Sequence, residues 1–186
     1  MFRHPLTPDA TLRPLEPWQA AEFAAYVDRA RPHLAPWLPW AETIVDESSA
    51  RAWLQRYADR QADDSGRVYG IWVSDSLVGG TLFRVFDTQS GLCEVGVWLD
   101  PAVQGRGLVG RAVEHMVEWA FRERGMHRVE WRVVPTNTRS ITAAKRLGMT
   151  RDGVLREVFP FHGTRHDIEV WSLLATEWRS PEAPPA

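Results

Sequence analysis

The chain has 186 residues, 44% hydrophobic and 25% charged, with a formal net charge of −2; this is ordinary globular composition at the length of one domain, and it excludes wholesale disorder. The single cysteine, Cys93, excludes a disulfide framework and a multi-cysteine metal site. No apolar run approaches the ~20 residues of a membrane-spanning helix and Met1-Phe2-Arg3-His4-Pro5 lacks a signal-peptide core, so a soluble, cytoplasmic protein with no membrane partner is expected.

In chain order, Thr11-Leu12-Arg13-Pro14-Leu15 reads as a short edge strand, where proline is tolerated. Residues 17–30 read as a helix, with Pro17 early and Ala20, Phe23, Ala24 and Val27 on one face. Three prolines between Pro32 and Trp40 exclude a regular helix there. Asp46 or Ser48 caps a second helix to about Ala62, striped by Ala50, Trp53, Leu54 and Tyr57. Residues 68–73 and 77–86 flank Ser74-Asp75-Ser76 as a hairpin, and residues 92–99 form the next strand. Val109, Ala112, Val113, Met116, Val117 and Ala120 keep helical spacing without a miss, and Gly125 stops that helix. Residues 129–134 are a strand ended by Pro135, residues 138–147 a short helix ended by Gly148, and residues 154–159 and 167–174 a strand pair around His162-Gly163. One domain over residues 1–180 is expected, with a fraying Pro/Ala tail at 181–186. The order β α α β β β α β α β β is a mixed α+β fold. Its one crossover makes residues 92–99 and 129–134 parallel.

Residues 102–156 hold eleven basic and five acidic side chains, so the remainder is net acidic. A basic segment in an acidic chain suggests a local anionic ligand, or simply solvated arginine-rich faces; the slightly acidic total argues against DNA or other nucleic acid as partner. Within this segment Gly105, Gly107 and Gly110 spell G-x-G-x-x-G ahead of the strong helix. A helix N-terminus offers free amides and the positive end of the dipole, and glycine lets a phosphate approach the backbone. A dinucleotide fingerprint is disfavoured: Glu130 is at the right offset but not at the carboxyl end of its strand, Asp100 to Val103 intervene, and the loop comes too late in the chain. A P-loop is excluded, because no Lys-Ser/Thr pair closes it.

Gln104-x-x-Gly107 at a strand-to-helix turn resembles the acyl-CoA loop, Q/R-x-x-G-x-G/A, of the GCN5-related N-acetyltransferases (GNAT superfamily), with Val109 where Gly or Ala is usual. Leu34 to Trp40, Trp98-Leu99-Asp100-Pro101, Gly125 to Val129, Asn137-Thr138-Arg139-Ser140 and Arg146-Leu147-Gly148-Met149 are similar to its RimJ/RimL-type branch. The resemblance covers roughly residues 10–178. It implies a mixed, mostly antiparallel twisted sheet of about seven strands flanked by about four helices. Its fourth and fifth strands, here residues 92–99 and 129–134, splay apart. The cofactor implied is acetyl-CoA. Its pyrophosphate would lie on Gln104, Gly105, Arg106, Gly107, Leu108, Val109, Gly110 and Arg111, and its pantetheine arm along Gly96, Val97 and Leu99, with Asn137, Ser140 and Arg146 also in contact. An amide near Gly96 could serve as oxyanion donor, although a packing glycine explains that position nearly as well. Ser140 would give a proton to the departing thiolate, and Asn137 would bond the pantetheine or merely cap its helix. The three tyrosines, Tyr26, Tyr57 and Tyr69, all precede the loop. Without Ser140 the thiolate, with a pKa near ~8.5 by analogy with cysteine, leaves unassisted.

The acceptor must be a neutral amine, and an α-amine of pKa ~7.7–8.0 asks for only a weak base. Glu94 is the first candidate base, with Glu157 and His162 in the terminal hairpin as others that could line the acceptor site. Trp37 and Trp40, in a proline-stiffened loop, are candidate walls of the acceptor pocket or an apolar plug. No metal is expected. The reading is an acetyl-CoA-dependent N-acetyltransferase in which an amine attacks the thioester directly in a ternary complex. The branch implies a protein N-terminal α-amine of ribosomal type as acceptor and allows a homodimer. The alternatives are a small-molecule amine acyltransferase, acetyl or succinyl, and a non-catalytic CoA-binding regulator.

Overall fold

A computed structural model of the chain describes residues 3–179, so the tail at 181–186 lies outside the described residues. These residues form β1 (His4–Thr7), β2 (Ala10–Pro14), α1 (Ala20–Leu34), α2 (Trp40–Thr43), α3 (Glu47–Ala62), β3 (Arg67–Val73), β4 (Ser76–Asp87), β5 (Leu92–Leu99), α4 (Leu108–Arg122), β6 (Arg128–Val133), α5 (Thr138–Arg146), β7 (Thr150–Phe161) and β8 (Thr164–Leu174). Eight strands and five α-helices stand among the described residues where seven and four were expected. The additions, β1 and α2, are four residues each, too short to show a period. Two compact units contain these elements: Met1–Arg84 with Gly96–Ala112, and Val85–Val95 with Val113–Ala186.

In the first unit β1, β2, β3 and β4 pair in that order, all antiparallel. β2 has a partner on each side, so the edge position expected for residues 11–15 belongs to β1 instead. The β3–β4 turn holds Ser74 at φ 46° and Asp75 at φ 62°, the positive pair that matches the twist of a two-residue hairpin. α1 buries Ala20, Phe23, Tyr26, Val27, Ala30 and Leu34. It runs past Ala30 and through Pro32 to Leu34, which corrects the expected end. Pro32 falls in the last turn, and Arg31 reaches forward to the carbonyls of Ala41 and Ile44, holding the following segment against that helix end. α3 starts where Asp46 accepts the Ser49 amide at 2.7 Å while the Ser49 hydroxyl accepts the Asp46 amide at 3.0 Å. The core of this unit is aromatic. Trp40 lies 5.9 Å from Phe23, 5.3 Å from Trp53 and 5.2 Å from Trp98, and Trp53 lies 4.7 Å from Tyr57. The Trp98 ring is seated on Gly80, where a Cβ would stand 2.3 Å from Cζ2.

In the second unit β5 runs parallel to β6 over only Leu92↔Arg128, Cys93↔Val129 and Glu94↔Glu130. Three pairs from strands of eight and six residues leave more than half of β5 and half of β6 outside the ladder, in keeping with the expected splay. β6 then pairs antiparallel with β8, and β8 with β7. The β7–β8 hairpin begins at Thr150, four residues before the expected strand, and β8 begins at Thr164 rather than Asp167. Register shifts between Arg151 and Gly153 and between Leu155 and Phe159 break the alternation that a sequence pattern needs. They leave Val154, Leu155 and Val158 exposed. From α4, Val113, Met116, Val117 and Ala120 are fully buried, and Gly125 at φ 63° lets the Met126 amide reach the Ala120 carbonyl at 3.0 Å.

Replacing the α3 cap, Asp46→Ala, is expected to lower Tm by roughly 2–4 °C, measured by thermal unfolding; an unchanged Tm would show that the helix start does not depend on this cap.

Candidate functional site

The segment from Asp100 to Arg111 belongs to the first unit. The Asp100 amide donates to the Val78 carbonyl at 2.7 Å, and its carboxylate accepts from the Ala102 amide at 2.9 Å, which starts a 3-10 turn at Pro101–Val103. Leu108, 1% exposed, anchors the far end in the core. Between these anchors Gly105 and Gly107 adopt φ +79° and +73°, the left-handed region where a Cβ costs roughly 1–2 kcal/mol. Space around them is open: nothing lies within 4 Å of a Cβ built on Gly105 or Gly110, and at Gly107 the nearest atom is Arg111 Nε at 4.0 Å. The first intrahelical bond is Arg111 N–H to the Gly107 carbonyl at 3.1 Å. The amides of Leu108, Val109 and Gly110 precede it and have no intrahelical acceptor. Arg111 is exposed and its guanidinium has no partner among the described residues. Arg106 gives Nη2 to Asp9, and Gln104 Nε2 lies 3.3 Å from His33 Nε2. Uncovered amides, open space and two guanidinium groups make a cradle that fits a diphosphate.

β5 brings the other expected backbone contacts to the same unit. The Gly96 carbonyl accepts from the fully buried Thr81 hydroxyl at 2.9 Å, and a Cβ on Gly96 would meet Leu82 Cδ1 at 3.2 Å. Close packing therefore accounts for this glycine, while Val97 is half-buried. Leu99 packs on Gly79, with Cδ1 2.8 Å from a Cβ built there.

The second unit holds Asn137 and Ser140. Asn137 caps α5, its Oδ1 accepting from the Ser140 amide at 3.1 Å. The Ser140 hydroxyl accepts from the Trp131 indole N–H at 2.8 Å. Because an indole only donates, this contact occupies an oxygen lone pair and leaves the hydroxyl proton to go elsewhere. Arg146, in the last turn of α5, lines a shallow cleft with Glu114, Glu177 and Trp178.

The candidate bases lie in two different settings within the second unit. Glu94 is 6% exposed, opposite the equally buried Glu130, and 3.5 Å from Arg132 Nε. Glu130 takes Arg128 at 2.9 Å and Arg132 at 3.0 Å, and Arg128 continues to Asp152. Glu94 is thus a member of a buried ion cluster rather than a strand residue facing solvent. Next to it, burial, and then the Glu130 carboxylate, push the Cys93 thiol up to about 12. Glu157 stands at φ 51° in the β7 bulge, its amide bonded to Asp167 Oδ1 at 2.8 Å. His162 stands at φ 49° in the hairpin turn, stacked on Phe161 at 3.9 Å. In the first unit Trp40 joins the aromatic core, and Trp37 is half-buried in the turn after α1, its amide on the Leu34 carbonyl at 3.0 Å. Among the described residues no group of His, Cys, Asp or Glu is placed to hold a metal, and no helix is long and apolar enough to cross a membrane.

Sequence reasoning missed Trp131, Asp9 and His33. Trp131 alternates inward in a short strand and looks like core. Asp9 and His33 meet the loop from 97 and 71 residues away, which no local pattern encodes.

A family model described as an acetyltransferase (GNAT) domain matches residues 10–150. The chain is 27% identical over 183 residues to the candidate ribosomal N-acetyltransferase YdaF of Bacillus subtilis (strain 168), covering 96% of this chain and 98% of that one. Its fold matches RimL, a ribosomal L7/L12 α-N-protein acetyltransferase solved with coenzyme A, at TM-score 0.85 and 19% identity, over 91% of this chain and 96% of that one. It also matches the microcin C7 self-immunity acetyltransferase MccE, solved with acetyl-CoA and AMP, at TM-score 0.85 and 19% identity, over 91% and 94% of the two chains.

Glu94→Gln is expected to lower stability by roughly 1 kcal/mol in urea unfolding, because it leaves Arg132 short of one buried partner; a variant as stable as the parent would remove the ion cluster from the account. Cys93 should stay unlabelled by a disulfide reagent at pH 8 in the folded protein and react once the chain is unfolded, whereas labelling of the native state would contradict its raised pKa.

Proposed function

Because the chain belongs to the GNAT acetyltransferase family, it is an acyl-CoA-dependent N-acetyltransferase, and we propose that its acceptor is the α-amine at a protein N-terminus. The observation that carries the cofactor assignment is the open loop at residues 104–111, with its two left-handed glycines and the exposed Arg111. Its amides and the donors of Arg106 and Arg111 would hold the phosphates, and the backbone at Val97 would take the pantetheine. When bound, acetyl-CoA supplies a thioester as acyl donor. Ser140, held as an acceptor by Trp131, would keep its hydroxyl proton for the departing sulfur.

Two observations support an α-amine. YdaF and RimL carry ribosomal and N-terminal assignments in their names. The first-choice base, Glu94, is tied to Arg132, so the arrangement suits an acceptor that is already partly neutral near pH 7–8 over a lysine amine of pKa ~10.4.

Thermal shift with CoA and with NADH, followed by thiol release with N-terminal peptides, lysine-blocked and lysine-bearing peptides and small amines, tests the reading. Stabilisation by CoA and turnover confined to free peptide N-termini support it; turnover of small amines alone would move the acceptor to a small molecule, and binding without turnover would leave a CoA sensor. Gly107→Trp should abolish the CoA shift, and retained CoA binding would refute the loop assignment. Ser140→Ala should lower kcat about 100-fold with KM for the peptide little changed; Trp131→Phe should lower kcat in the same direction but less, and parental turnover in both variants would end the proton-donor role.

A further inference from the structure

Within the first unit three side-chain pairs tie the loop before α4 to distant chain: Arg29 Nε to Asp100 Oδ2 at 3.8 Å, His33 to Gln104 at 3.3 Å, and Asp9 to Arg106. The third is unusual in its geometry. Both contacts, at 2.7 and 2.8 Å to the two carboxylate oxygens, come from the single nitrogen Nη2. The Nε–H and the Nη1 hydrogens have no partner among the described residues. Asp9 is itself fixed from two sides. The Thr7 hydroxyl donates to its Oδ1 at 2.8 Å, and its carbonyl accepts from the Ser74 amide at 2.9 Å across the β1–β2 and β3–β4 turns. The Thr7 bond, then the Arg106 bond, hold the Asp9 carboxyl below the usual carboxylate range, so it is ionised at neutral pH.

Arg106 stands between the two left-handed glycines, whose wide backbone freedom leaves the direction of its side chain to be set by its contacts. Its side chain is a third exposed. An ion pair at such a surface position contributes little to stability. What it does supply is a fixed direction for a long, flexible cation at the phosphate cradle. We propose that Asp9 is a positioning residue for the acyl-CoA: it holds Arg106 by Nη2 and leaves the Nε and Nη1 donors for a phosphate oxygen. The proposal rests on the assignment of residues 104–111 to the CoA phosphates. An arginine already ordered before the anion arrives loses less freedom on binding, and that gain appears in affinity rather than in the acyl-transfer step.

The test measures Kd for CoA, KM for acetyl-CoA, kcat and Tm in Asp9→Asn, Asp9→Glu and Arg106→Gln variants and in the double variant Asp9→Asn/Arg106→Gln. Asp9→Asn should raise Kd and KM roughly three- to tenfold with kcat and Tm unchanged, and Asp9→Glu should recover part of the loss. In the Arg106→Gln background Asp9→Asn should add nothing, an outcome that a purely structural role for Asp9 does not produce. Unchanged or tighter CoA binding in Asp9→Asn, or the same loss with Arg106 already removed, would overturn the proposal. If Arg106→Gln and Gly107→Trp also leave CoA binding intact, the loop assignment itself has failed; if they weaken it while Asp9→Asn does not, only the role of Asp9 has.

Discussion

The chain must leave β5, turn through a few residues and enter α4 with the first amides of that helix uncovered, and everything assigned to the cofactor depends on this passage. Both ends are fixed by ordinary means. Asp100 is bonded to Val78 and to its own 3-10 turn, and Leu108 is sunk in the core. The middle is fixed by conformation. Gly105 and Gly107 occupy a backbone region that side chains resist, and no neighbour fills the space above Gly105. A Cβ at either position would add strain to the turn and bulk to the space a phosphate needs. The departure at Val109, where the family prefers a small residue, is tolerated structurally because that residue sits inside the first helical turn, half-buried, past the two strained positions.

The two units use different physics. The first relies on aromatic packing, with Phe23, Trp40, Trp53, Tyr57 and Trp98 stacked edge to face and tilted. The second buries charge, with Glu94 and Glu130 side by side and two arginines neutralising them. This alters the meaning of the basic excess in residues 102–156. Arg122, Arg128, Arg132 and Arg151 are engaged with carboxylates, and Arg124 and Lys145 lie over aromatic rings. Arg111 is the basic side chain of the first unit's loop that stands exposed and unpaired. A segmental charge sum overstates how much of that charge could meet a ligand.

Legibility followed the range of the interaction. The α4 stripe, the Asp46 cap, the Ser74-Asp75 turn and the glycine loop are encoded within a few residues, and each was readable. The α4 register still slipped at its start, where Leu108 rather than Val109 is the fully buried residue. β1 was missed because four residues with a proline carry no period, and the length of β7–β8 because bulges interrupt it. Of the candidate site, the loop was visible as a motif. The partners that orient it were not. Asp9, His33 and Trp131 act through pairings that the fold alone brings together. By sequence Glu94 is a candidate base, and only its register opposite Glu130 shows it embedded among charges.

The seating of Trp98 on Gly80 has an optical consequence. It places the indoles of Trp40, Trp53 and Trp98 within 5.2 to 6.3 Å of one another at steep mutual angles. Transition dipoles that close exchange excitation and give a strong, conformation-dependent rotational signal, to which Trp18, 74% exposed and outside that cluster, does not contribute. The near-ultraviolet circular dichroism of the protein therefore carries a contribution from packing in the first unit, alongside that of the buried Trp119, Trp131 and Trp171 of the second. That contribution reads the packing of the same residues that support the strand leading into the glycine loop.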